Sequence, residues 1–163
     1  MYKNNKDGAK TLKLAEYKKM MAKKTKKPSK YRNKITTLKV NWRGRKQEIK
    51  FHSIFESDNF LLLLDIENRG KIKNLSIQEK FVLLSNETDT IKFIIDFYYY
   101  DCVDNVWVAE DTKSIATAGK RDYINKRKAF LDKYKDCNII FKEIYREKTL
   151  VFTNNPSLEH LRT

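Results

Sequence analysis

Residues Phe93–Ser114 read FIIDFYYYDCVDNVWVAEDTKS. Phe93–Tyr100 is apolar and aromatic, Val106–Thr112 alternates, and Asp104-Asn105 between them is turn-forming, so the stretch predicts a β-hairpin. Folding it about Val103-Asp104 sets Asp96 opposite Asp111, with Cβ atoms about 5 Å apart. Lys113 shares a face with Asp111, because strand side chains repeat every second residue, and Glu110 points to the other face. Two carboxylates and an amine thus meet on an otherwise apolar strand pair. Carboxylates held that close repel, and a bound divalent cation is the usual relief. A surface hairpin carrying an ion pair would use the same residues, since Asp-x-Lys is a frequent tripeptide.

Working outward, Lys120–Lys135 predicts an amphipathic helix with Tyr123, Ile124, Phe130, Leu131 and Tyr134 inward. Asn138–Tyr145, NIIFKEIY, predicts a strand, and 146–163 a tail with a short strand at Leu150–Phe152. Upstream, Ser53 opens a helix with the capping-box pattern Ser53-x-x-Glu56, and Gly70 ends it after about four turns. Ile72–Leu84 predicts a strand beginning near Leu75. Ile35–Phe51 predicts a separate hairpin turning at Arg43-Gly44. Trp42, Arg43 and Arg45 there suit stacking and charge contacts with nucleic acid, although a tryptophan in such a strand also packs on a core. From Ser53 onward the order is α-β-β-β-α-β, a mixed α/β (α+β) domain over residues 35–145.

The chain has 163 residues, enough for one domain with a substantial core, and a formal net charge of +14. Its isoelectric point is near 9.7. Residues 1–34 hold 13 Lys/Arg and 2 Asp/Glu, leaving 22 and 19 for the rest, so the charge is concentrated in an N-terminal arm of net +11. A short helix over about Thr11–Lys23 and a solvated tail are both consistent with the arm. Such a charge distribution implies a polyanionic partner, nucleic acid first and an anionic membrane surface second. Two cysteines, Cys102 and Cys137, make no disulfide framework, which implies reduced thiols and a cytoplasmic setting. Two histidines far apart disfavour a zinc site, and no apolar run approaches transmembrane length.

An acid, a gap, then acid-x-lysine on adjacent strands is similar to the PD-(D/E)XK nucleases. More closely, FHSIFES at Phe51–Ser57, IKNLSIQEKF at Ile72–Phe81, DFYY at Asp96–Tyr99, VAEDTKS at Val108–Ser114 and KRKAF at Lys126–Phe130 resemble, in order and spacing, a family of small phage proteins grouped with these nucleases. The resemblance covers about residues 30–144. The chain departs from the family pattern at His52 (Asp in the family), Glu79 (Pro) and Ser114 (Gly), none of them an acid or lysine of the expected site.

The resemblance implies a restriction-endonuclease-like αβββαβ core, with a central mixed sheet flanked by helices. It also implies a Mg²⁺-dependent endodeoxyribonuclease, phage- or virus-encoded and acting in the host cytoplasm, with Mn²⁺ as a substitute metal. Holliday-junction-like branched DNA, duplex and single strands all fit as substrates, and a homodimer is compatible with the class. Asp96, Asp111 and the Thr112 carbonyl would hold the metal, and Lys113 would act on the attacking water and the phosphate. Glu56 would serve a second metal or its water, beside its role in the cap. Gln78 would contact that water or the scissile phosphate, unless it is only a sheet-edge residue. Lys120, Arg121, Lys126 and Arg127 would join Arg43 and Arg45 in gripping DNA. The alternative is a non-catalytic nucleic-acid-binding module on a nuclease-like scaffold.

Overall fold

The helix after Ser53 is fixed at both ends by its own sequence. The structure, a computed structural model, describes residues 34–85 and 89–162. In it α1 runs Ile54–Asn68, and Ser53 Oγ accepts the Glu56 N–H at 3.0 Å. Gly70, at φ 72°, takes the left-handed conformation that ends the helix. The N–H groups of Gly70 and Lys71 return to the carbonyls of Glu67 and Ile66, a Schellman motif. The capping box is only half made. Glu56 bonds the His52 N–H at 2.9 Å, one residue before the amide that a capping box would satisfy.

Before α1, β1 (Thr36–Trp42) and β2 (Arg45–Phe51) form a two-stranded antiparallel sheet. Trp42 pairs with Arg45, so Arg43-Gly44 is a two-residue turn, and both residues have positive φ (54° and 71°), as a type I′ hairpin requires. After α1 come β3 (Ile72–Ser85), β4 (Thr90–Asp101), β5 (Val106–Thr112), the single-turn α2 (Ile115–Ala118), α3 (Arg121–Lys133), β6 (Ile139–Ile144) and β7 (Thr149–Phe152). A five-stranded mixed sheet results, in the order β3-β4-β5-β6-β7, with only the β5–β6 pair parallel. The protein is therefore of mixed α+β architecture. Strand β3 begins at Ile72, three residues before Leu75, and a register shift between Lys73 and Ser76 accommodates the difference. Residues 146–163 are more than a tail. They supply the β7 edge and a 3₁₀ helix, Pro156–Leu161, whose Leu158 is buried in the core. The basic arm, with its expected helix over Thr11–Lys23, lies outside the described residues except for Lys34.

Each face of the sheet carries one aromatic core. Phe60 of α1 meets Trp42, Phe51 and Phe97 at ring distances of 5.3, 5.1 and 6.4 Å. Phe130 of α3 meets Phe81, Phe93 and Phe141 at 5.0, 6.1 and 5.7 Å. Strand β5 alternates without interruption, Val106 and Val108 joining the first core and Trp107 and Ala109 the second. Strand β4 does not. Phe97 and Tyr99 belong to the first core, yet Phe93 and Ile95 belong to the second, although strict alternation would give all four one face. The switch falls at Asp96. Across from it on β3, between the pairs Ile77–Phe97 and Glu79–Ile95, Gln78 has φ 54°. The β3–β4 pair thus changes face at the position that carries the acid. Among the described residues no helix is long and apolar enough to cross a membrane.

Candidate active site

The hairpin register puts Phe97 opposite Glu110 and Tyr100 opposite Trp107, which sets Asp96 across from Asp111. The turn holds that register. Asp101 Oδ1 accepts the N–H groups of Val103 and Asp104 at 2.9 and 3.2 Å, and Asn105 takes φ 56°. The two acids are linked through backbone. Asp111 Oδ1 accepts the Asp96 N–H at 3.2 Å, while Asp96 Oδ2 accepts from the Thr112 N–H at 2.9 Å and the Thr112 hydroxyl at 2.7 Å.

Asp111 is 1% exposed. Its Oδ2 lies 2.8 Å from Lys113 Nζ, a close ion pair. Burial first, and then the Asp96 charge, raise Asp111 from the ordinary aspartate range to about 7, although the Lys113 ammonium opposes the shift. Lys113 is itself largely covered, and its Nζ stands 4.7 Å from the centre of the Tyr123 ring.

Glu56 brings α1 to the same end of the sheet. It is 3% exposed, and its Oε1 accepts from Gln78 Nε2 at 2.8 Å. Burial, then the charge of Asp96, raise its proton affinity. Gln78 is thus an edge-strand residue that ties β3 to the helix carboxylate. Glu110 lies on the α1 face, buried, and accepts from Tyr99 OH at 2.6 Å and Asn59 Nδ2 at 2.5 Å. Burial raises its proton affinity and Asp96 adds to the shift, against the two hydrogen bonds. The charge of Asp96 is therefore felt by Glu56, Glu110 and Asp111, and Lys113 is the cation paired within this group.

Another buried carboxylate adjoins Asp111. Glu143 of β6 pairs with Asp111 in the parallel register and is 1% exposed. It accepts from Tyr123 OH at 2.9 Å and Tyr145 OH at 2.7 Å, and forms an ion pair with Arg127. Sequence reasoning passed over Glu143, Asn59 and the tyrosine hydroxyls. The available signal was Glu143 itself, an acid in phase with the buried Ile139 and Phe141.

The residues expected to meet DNA divide into two groups. Arg127 is held by Glu143 and lies 4.2 Å from the Phe152 ring centre. Arg43 donates to the Leu75 carbonyl at 2.6 Å and covers Trp42. Arg45 and Arg121 are exposed, Lys120 is the N-cap residue of α3, and Lys126 pairs with Asp122 at 3.1 Å. Trp42 packs on Phe60 and donates to Glu67 at 3.2 Å. Ser114, at φ −91°, caps α2, so the position has no need of the family's glycine.

Among the described residues no group of three or more His, Cys, Asp and Glu side chains forms a metal cage. Magnesium does not require one, since it commonly keeps several waters and takes one or two carboxylates. The Asp111 carboxylate, buried beside that of Asp96, is a donor pair of the kind such an ion takes. Comparison with known proteins matched no family model, no curated protein and no solved structure.

Proposed function

We propose that the protein is a Mg²⁺-dependent endodeoxyribonuclease of the PD-(D/E)XK type, built on a restriction-endonuclease-like core. The observation that carries this reading is Asp111, a buried carboxylate flanked by the Asp96 carboxylate and by Lys113 Nζ at 2.8 Å. Asp96, Asp111 and the Thr112 carbonyl would hold the ion, with Glu56 beside them. A bound Mg²⁺ would lower the pKa of a water and polarise the scissile phosphate. Thr112 holds the Asp96 carboxylate in a fixed orientation through two hydrogen bonds. Lys113 would hold the attacking water and neutralise charge growing on the phosphate oxygens. Gln78 holds Glu56 Oε1 through its hydrogen bond at 2.8 Å. A second reading, a non-catalytic nucleic-acid-binding module, is favoured by one fact, that Thr112 already occupies Asp96 Oδ2. Incubating the full chain with supercoiled plasmid and a four-way DNA junction, with Mg²⁺, Mn²⁺ or chelator, separates the two. Metal-dependent cutting is expected, and tight binding without cutting under any metal would leave only the binding module.

The cap and site roles of Glu56 separate in two variants. Glu56→Gln keeps an oxygen for the His52 N–H and removes the charge. It is expected to melt within about 1 kcal/mol of the parent, the scale of a helix-dipole contribution. Glu56→Ala also loses the bond that the His52 amide makes, and should melt earlier. Loss of most cleavage in both variants is the expected result, and a fully active Gln variant would remove Glu56 from the site.

The arm should add affinity and no chemistry, because it holds +11 of the +14 charge and none of the site residues. Each phosphate contact on duplex DNA adds roughly 0.9 to the slope of log K against log salt. Deleting residues 1–27 should flatten that slope and weaken binding to all sequences alike. An unchanged slope would mean that the arm leaves DNA untouched.

A further inference from the structure

We infer that Tyr123 and Glu143 are positioning residues for Lys113, a proposal that rests on the nuclease reading only for its kinetic consequence. Lys113 lies between the end of β5 and Ser114, the N-cap of α2, and its N–H donates to the Ile144 carbonyl at 2.9 Å. A four-carbon side chain leaving that point has many rotamers. Two surfaces confine its head, Asp111 Oδ2 at 2.8 Å and the face of the Tyr123 ring at 4.7 Å. Asp111 holds the ammonium on one side only and leaves the side chain free to turn about that contact. The ring supplies the second boundary through attraction between cation and π-face, strongest where water is scarce.

The ring is fixed in turn. Its hydroxyl donates to Glu143 Oε1 at 2.9 Å, and its edge meets Phe93 at 5.9 Å. Glu143 cannot swing away, because Tyr145 OH holds its Oε2 at 2.7 Å and Arg127 pairs with its Oε1. Because β5 and β6 are parallel with Asp111 beside Glu143, the anchor and the acid share one rigid register. The chain of support runs from Arg127 and Tyr145 to Glu143, then to the Tyr123 ring and the Lys113 ammonium.

The test uses the full chain, with Tyr123→Phe keeping the ring and losing its anchor, and Tyr123→Leu losing both. NMR of the Lys113 ε-methylene protons reads position directly, since the ring face beside the adjoining Nζ, 4.7 Å from its centre, shifts them upfield. That shift should be present in the parent, smaller in Tyr123→Phe, and gone in Tyr123→Leu. On supercoiled plasmid with Mg²⁺, kcat should fall about 10–100-fold in Tyr123→Leu and less in Tyr123→Phe, with KM unchanged, the scale found for residues that support a site from behind. Glu143→Gln, which keeps an acceptor for Tyr123, should retain the methylene shift in whatever fraction folds. An identical methylene shift in parent and Tyr123→Leu would overturn the proposal, as would unchanged kcat in a folded Tyr123→Leu when the parent cuts. If the shift follows the ring but even the parent fails to cut, the positioning stands and the nuclease reading falls.

Discussion

Asp111→Asn is expected to abolish Mg²⁺-dependent cleavage of plasmid DNA and, without metal, to make the protein more stable at pH 8. Both effects follow from one buried oxygen. Asp111 is 1% exposed, and burial and the Asp96 charge raise it to about 7. In the unfolded chain it would titrate near 3.8, so between about pH 4 and pH 7 the folded state holds a proton that the unfolded state has released. Stability contributed by this group is therefore largest at acid pH and falls as pH rises toward 7. Asparagine carries no charge to desolvate, so the variant does not suffer that fall. The variant should therefore be the more stable of the two at pH 8. The two should converge near pH 4. Mg²⁺ should stabilise the parent at pH 8 and leave the variant unmoved, because the ion neutralises the ionised Asp111 that burial disfavours. Urea unfolding across pH 4–8, with and without Mg²⁺, reads all of this, and cleavage assays read the activity. A variant that cuts normally would end the catalytic assignment. One that is less stable at pH 8 would show that the Lys113 pair outweighs the burial of Asp111.

The hairpin that places Asp96 opposite Asp111 was legible because local rules govern it. A turn-forming Asp104-Asn105, an aromatic arm and an alternating arm leave one register that buries Val106, Val108, Phe97 and Tyr99 together. The ends of α1 were legible for the same reason, with Ser53 and Gly70 acting within one turn of themselves. What stayed hidden depends on contacts distant in sequence. The face switch at Asp96 arises where β3 passes with Gln78 at positive φ, and nothing in IIDFY announces it. Glu143 reads as one acid in a short strand until β6 is laid parallel to β5 and α3 delivers Arg127 and Tyr123. Arg127 reads as a phosphate contact because it lies in a basic run, KRK, and helix phase alone does not reveal an acid waiting beneath it. The strand at Thr149–Phe152 was visible as a short apolar run, but its place at the sheet edge depends on pairing with β6.

The Arg127–Glu143 pair makes the second large prediction. Arg127→Met should destabilise the protein by about 3–5 kcal/mol, because it leaves Glu143 charged, 1% exposed and without its cation. Two tyrosine hydroxyls would remain, and neutral donors compensate a buried carboxylate only in part. Glu143→Leu should cost a comparable amount by stranding the guanidinium, although its contact with the Phe152 ring at 4.2 Å softens the loss. The double variant Arg127→Met/Glu143→Leu should recover much of either single loss, since an apolar pair of similar volume often replaces a buried ion pair at little net cost. Urea unfolding of the four proteins completes the cycle, and a large coupling energy is expected. The coupling should change little between low and high salt, because the pair is covered, whereas an exposed pair such as Lys39–Glu48, at 4.0 Å, is open to screening. If Arg127 instead reaches out to phosphate, Arg127→Met would lower DNA affinity while losing less than about 1 kcal/mol of stability, the range of an exposed pair. The two roles thus predict opposite patterns in the same variant. The double variant also bears on the site, since it folds without the Glu143 anchor for Tyr123. Its cleavage rate should stay low after its stability has recovered.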